Sequence, residues 1–279
     1  MTTLVLKILA VVFMLIDHLG FAIGSSTFEA INFAEGYYLC RSIGRLAFPI
    51  FAFLIANGFR HTKNLKKYVL RLLAFAIISE IPFDLFIEGK ITLIRMSGIL
   101  PDIKLDNVFF TLLLGLLFLC AHKYLKEKLG KYSTIASVAS LLVFCCIAGF
   151  FTSDYGAVGV LWVALFGLFD IAERKYTPVV FAGAALLSYW RIASRSALVA
   201  IYRLTSVNIS RIPGLWYFFS DSWGVMSFIQ PFALVSFGLM LMYNGKSGMP
   251  ENRTARKIMQ YAFYLFYPLH ILILYLIFK

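Results

Sequence analysis

The sequence predicts an all-α protein: a polytopic integral-membrane helical bundle of about nine transmembrane helices, with its N-terminus inside and residues 1–279 in a single membrane-embedded domain. Three observations carry this. Hydrophobic residues make up 61% of the chain and charged ones only 14%, against about 45–50% and about 25% in soluble domains. Apolar runs near the roughly 17–25 residues that a bilayer requires fill almost the whole length. Short loops rich in Lys and Arg alternate with loops that lack them, which sets an orientation. A mean hydropathy of +0.82 agrees.

The spans follow in order. The first, 4–23, has no small-residue cleavage site before Asp17 and His18, so it reads as a retained helix and not a signal peptide. The second, 39–59, carries Arg45 and Pro49 and runs into the basic stretch 60–67. The third, 68–87, holds Glu80, Pro82 and Asp84. The fourth to sixth, 107–122, 133–151 and 156–172, are nearly uninterrupted apolar runs. The seventh, 178–201, contains Arg191 and Arg195. The eighth and ninth are 225–243 and 258–278, and His270 lies in the last.

Loops 60–67, 123–131, 173–175 and 244–257 are basic, whereas 24–38 and 152–155 hold no Lys or Arg. Loop 88–106 is mixed and is placed outside by parity. Segment 191–222 also falls outside by parity, yet holds Arg191, Arg195, Arg203 and Arg211. Either parity breaks there, or the segment is a partly buried or re-entrant element. The second reading is preferred, because such backbone is tolerated where protein or water covers it. The net charge of +12 sits mostly in these loops, so it reflects topology and not nucleic-acid binding. Cys40, Cys120, Cys145 and Cys146 lie in apolar surroundings without metal spacing, and no metal is expected.

At about 1.5 Å per residue, His18 and Arg45 both lie about 9 Å below the outer face. Glu80 and His270 lie about 12 Å below it and Asp84 about 6 Å. A lone charge in hydrocarbon costs roughly 2.5–3.5 kcal/mol, so these groups are expected to pair around a polar chamber in the outer half. Asp17 and His18 point about 100° apart. Asp17 is therefore expected to meet Arg45 or a backbone donor, leaving His18 free. Glu80 is expected to pair with Arg45, and Pro82 to loosen the helix beside it.

Several stretches resemble one family: KILA at 7–10, MLIDHLG at 14–20, IGRLAFPIFAF at 43–53, GFRHT at 58–62 and ISEIPFDL at 78–85. NVFFTLLLG at 107–115, DYG at 154–156, YNGKSG at 243–248 and FYLFYPLH at 263–270 continue the likeness. In this the chain resembles the TraX family. The resemblance implies a multi-span protein of the bacterial cytoplasmic membrane, in a family named for the enzyme that acetylates F-type conjugative pilin. It also implies kinship with integral-membrane acyltransferases, with acetyl-CoA as donor and an extracytoplasmic acceptor, either a peptide amine or a glycan hydroxyl.

Acyl transfer needs a base, oxyanion stabilisation and exclusion of water. His18 is the expected base. His270 is a second candidate, or the acid for the leaving thiolate. Arg45 would stabilise negative charge or hold the acceptor, Glu80 would fix Arg45, and Asp17 would orient a histidine or the arginine. Each has a plainer alternative: His18 bonded to a carbonyl, His270 a residue of the Pro268 kink, Arg45 and Glu80 a structural ion pair. The phosphates of CoA would fall to Arg60, His61, Lys63, Lys67, Asn244 and Lys246, though positive-inside topology alone explains those charges. Two rival functions remain: a transporter using the intramembrane charges as a proton or substrate path, and a non-catalytic assembly or immunity protein. Oligomeric state and the choice of acceptor are left open by the sequence.

Overall fold

A computed structural model describes residues 1–31, 33–91, 94–96, 101–103, 105–151, 153–205 and 229–279. The fold is helical, as expected. Helix α1 (Thr3–Ile23) starts at Thr2, whose hydroxyl accepts from the Val5 N–H. A short α2 (Ser25–Ala30) leads to α3 (Ala34–Gly44), α4 (Ala47–His61) and α5 (Leu65–Glu88). Among the described residues, the one departure from all-α is a pair of short strands, β1 (Ile94–Met96) and β2 (Pro101–Ile103). It is antiparallel, with Ile94 opposite Ile103. Then come α6 (Val108–Leu129), α7 (Ser133–Phe150), α8 (Gly156–Leu168), α9 (Thr177–Thr205), α10 (Val235–Leu241) and α11 (Arg253–Phe278).

Among the described residues, four helical runs are long and apolar enough to cross a membrane: Thr3–Ile23, Glu35–His61, Val108–Phe150 and Arg253–Phe278. The third of these is a hairpin, because the chain reverses at Gly130, where φ is 48°. His122 and Ser137 meet across it at 2.9 Å. Gly156–Leu168 and Gln230–Leu241 are shorter apolar helices. The expected second span is not one straight helix. Pro49 has no N–H for the carbonyl four residues back, and its ring crowds that carbonyl. That residue is Arg45, and there the helix breaks: Arg45 N bonds Ser42 O at 3.2 Å and Leu46 N bonds Ile43 O at 3.1 Å. Of the basic segment 191–222, the backbone is helical as far as Thr205; the arginine side chains and residues 206–228 lie outside the described residues.

The helices pack through small residues and leave apolar faces outward. Thr111, Gly115 and Leu119 of α6 meet Gly159, Val163 and Gly167 of α8 in register, so the two helices run parallel. A Cβ on Gly115 would stand 2.5 Å from Val163 Cβ, which is the close approach small residues permit in membranes. Outside, Leu265, Leu269, Ile273 and Leu276 form an exposed stripe along α11, and Ile135, Val138 and Leu142 another on α7. Contiguous apolar surface of this kind suits lipid and not water.

Gly115→Val is expected to cost about 1–3 kcal/mol through overpacking, read as a lower melting temperature in detergent. Gly149→Ala, facing open space, should leave it unchanged; equal melting of the two variants would contradict the α6–α8 contact.

Candidate active site

Eleven residues along a helix is three turns plus about 20°, so Lys7 and His18 project from one side of α1. Beside His18 stands His270 of α11, with Nδ1 of His18 and Nε2 of His270 2.7 Å apart. Nδ1 of His270 lies 2.7 Å from the Phe266 carbonyl oxygen. A carbonyl only accepts, so His270 carries its proton on Nδ1. In the neutral ring Nε2 is then an acceptor, and His18 donates to it from Nδ1. The remaining lone pair is on His18 Nε2, the atom a general base uses. Both tautomers are assigned from this bonding pattern. Aromatic rings fix the pair: Phe266 stacks on His270 at 4.6 Å, Phe86 meets His18 edge-on at 5.8 Å, and Tyr267 lies 6.2 Å from His18.

The charged groups expected at this level are present, with different partners. Asp17 pairs with Arg41, at 2.8 Å from Nη1 to Oδ2, and not by a direct ion pair with Arg45. Gly44 makes room, since a Cβ there would lie 2.2 Å from Asp17 Oδ1. Arg45, at the α3–α4 break, lies within electrostatic reach of the Tyr155 phenol and of the charges of Asp17 and Asp154. Tyr155 stacks on Phe48 at 3.7 Å. Burial pushes its phenol up to about 12 against the pull of Arg45, so it stays neutral and able to donate.

Glu80 does not pair with Arg45. Its Oε1 accepts from the Asp106 N–H at 3.0 Å and its Oε2 from the Asn107 carboxamide. Asn107 also donates to Ala76 O at 2.8 Å and caps α6 by accepting from Phe109 N–H. A helix start favours a nearby carboxylate, so Glu80 fastens α5 to the beginning of α6. Asp84 is buried one turn further on.

The residues expected to hold phosphates are dispersed among structural duties. Arg60 donates to the carbonyls of Phe166 and Gly167 and lies 3.6 Å from Asp170. It thereby caps the end of α8, where carbonyls lack helical partners. In the 244–248 loop, the Lys246 and Ser247 carbonyls accept from Thr3 and Leu4 N–H at 2.9 and 3.0 Å. Asn244 N–H donates to Met1 O at 2.9 Å, and Asn244 Oδ1 takes the Lys246 N–H at 3.1 Å. The loop thus caps α1. Lys63 and Lys67 are exposed. His61 bonds Asn57 O through Nδ1 at 2.9 Å.

His61 also stands at the rim of a cavity of about 350 Å³. The cavity passes Lys7, Arg71 and Gln260 and reaches Met14 and Tyr267. Tyr267 packs against both histidines, so the inner wall of the cavity is also a wall of the histidine pair.

Arg41, Tyr155, Lys7, Arg71 and Tyr267 are site residues that sequence reading passed over. A signal exists for two of them. Arg41 is one turn before Arg45 and shares its face, and Lys7 shares a stripe with His18. For Arg71 and Tyr155 the cavity and the stacking reveal what spacing does not. Asp17→Asn and Arg41→Gln should each lower unfolding free energy by about 1–3 kcal/mol. The double variant should lose less than their sum; strict additivity in denaturant titrations would show that the pair is uncoupled.

A family model described as the TraX protein matches residues 3–278. A protein of Dichelobacter nodosus named probable fimbrial assembly protein FimC, serogroup H1, is 26% identical over 282 residues, covering 96% of this chain and 92% of that protein. No solved structure matches. The stretches singled out in the sequence and the match across nearly the whole chain lead to one assignment: this protein belongs to the TraX family.

Proposed function

We propose that the protein is a membrane acyltransferase that moves an acetyl group from cytoplasmic acetyl-CoA to an extracytoplasmic acceptor, with His18 as general base. The observation that carries this is the chain His18–His270–Phe266 O, which leaves the lone pair on His18 Nε2. An α-amine, titrating near about 8, suits such a base. As the acceptor nitrogen or oxygen bonds to the acyl carbon, His18 Nε2 takes its proton. When the carbon–sulfur bond breaks, the same atom returns the proton to the departing sulfur. His270 acts as a positioning residue, holding the tautomer and the ring plane. Arg45 and the neutral Tyr155 phenol are the donors for developing negative charge.

Orientation follows from where the basic segments gather. The chain start meets the 244–248 loop, Asn57 of α4 donates to the Tyr243 hydroxyl beside that loop, and Arg60 of the same helix meets the end of α8, so the basic stretches 60–67 and 244–257 share one end. The positive-inside rule makes that end cytoplasmic, in the bacterial cytoplasmic membrane. The cavity opens by His61, at the same end, and its cationic lining fits an acyl donor bearing phosphates. The TraX assignment and the fimbrial name of the Dichelobacter nodosus relative favour a pilin-type N-terminal amine as acceptor over a glycan hydroxyl. The transport reading is disfavoured because Glu80 and Asp17 are occupied by Asn107 and Arg41.

The test is transfer of labelled acetyl from acetyl-CoA to a peptide with a free N-terminal amine, using protein in nanodiscs and an N-blocked peptide as control. His18→Gln should lower the rate about 10²–10⁴-fold, and His270→Gln should lower kcat while leaving the KM for donor unchanged. A His18→Gln variant as active as the parent would remove the proposed base.

A further inference from the structure

Among the described residues, the cavity beside the histidine pair is lined by Lys7 and Arg71 and by no carboxylate. Lys7 enters from α1 and Arg71 from α5, close enough for each charge to act on the other. Their neighbours are neutral. Lys7 Nζ lies 5.6 Å from the centre of the Phe263 ring, and the Arg71 guanidinium 5.8 Å from that of Tyr68 and 5.6 Å from that of Tyr264. The Gln260 carboxamide oxygen, oriented by the bonding pattern, accepts from Arg71 Nη1 and Nη2 at 3.2 and 3.1 Å. Arg71 Nε is buried with no hydrogen-bond partner among the described residues. Two like charges sharing one recess repel, and an anion between them relieves both the repulsion and the missing bond.

We propose that Lys7 and Arg71 form the subsite for the phosphate-bearing head of an amphipathic ligand whose flexible arm runs along the cavity toward Tyr267. The guanidinium fork matches phosphate oxygens, and the ammonium adds a compact second charge. Lys7 and His18 are separated by about 16 Å along α1 on one face. A head held at Lys7 therefore places the tip of an extended arm beside the base. Arg60 is engaged by the α8 carbonyls, whereas Lys7 and Arg71 both line the cavity. The identity of the ligand as CoA rests on the acyltransferase reading; an anionic phospholipid head offers the same chemistry.

The experiment titrates protein in phosphatidylcholine nanodiscs with CoA and with 3′,5′-ADP, and repeats the CoA titration in discs containing phosphatidic acid. CoA and 3′,5′-ADP should bind saturably. Lys7→Gln and Arg71→Gln should each weaken binding tenfold or more, Arg71→Lys should restore part of it, and Lys66→Gln, exposed in the first turn of α5, should bind as the parent does. Melting temperatures check folding; where Arg71→Gln fails to fold, Lys7→Gln and Arg71→Lys carry the comparison. Binding of phosphatidic acid to the parent that Lys7→Gln and Arg71→Gln each weaken, with no CoA binding in phosphatidylcholine discs, would assign the subsite to a lipid head. Loss of CoA binding in the variants, with no acetyl transfer by the parent, would uphold the subsite and sink the acyltransferase. Undiminished binding or an unchanged donor KM in both variants would overturn the subsite and leave the acyltransferase standing, and failure of all three probes to bind the parent would also overturn it.

Discussion

The contact between His18 and His270 joins the first long helix of the chain to the last, and the rest of the site is arranged around it. A buried imidazole with both nitrogens committed has one tautomer, and the Phe266 carbonyl makes that choice for both rings. What remains is a single basic nitrogen in a setting walled by Phe86 and Tyr267. The pair is held in place by backbone, through the Phe266 carbonyl.

The charges nearby follow a second rule: in hydrocarbon each must find its counterpart. Asp17 has Arg41, Glu80 has the start of α6, and Arg45 has Tyr155 with two carboxylates in range. Arg45 stands apart from the others because it occupies a helix break. Pro49 creates that break four residues on, so the arginine projects from a turn and not from a straight helical face.

Much of this was legible in the sequence. Apolar runs located the helices, and counting residues at a fixed rise brought Asp17, His18, Arg45, Glu80 and His270 to a common depth. Depth is only one coordinate, however. It does not give the direction in which each helix turns its side chains, and so it chose Arg45 for Glu80 where the structure chose Asn107. The straight second span failed for a local reason, the ring of Pro49. Arg60, expected at a phosphate, is taken up by the end of α8 for another: a basic residue at a helix end finds bare carbonyls to cap. Lys7 and Arg71 were hidden by lying within helices, where a cation reads as an isolated blemish until the neighbouring helices are in place.

The Asp17–Arg41 pair links neighbouring segments, whereas the histidines are separated by 252 positions. During synthesis the opening hairpin therefore enters the bilayer already neutralised, without waiting for later helices. His18, by contrast, lacks His270 until helix α11 has been made. An unfinished chain thus holds the ion pair of its opening helices before the two imidazoles can meet, and their contact marks a chain whose distant helices have closed on each other.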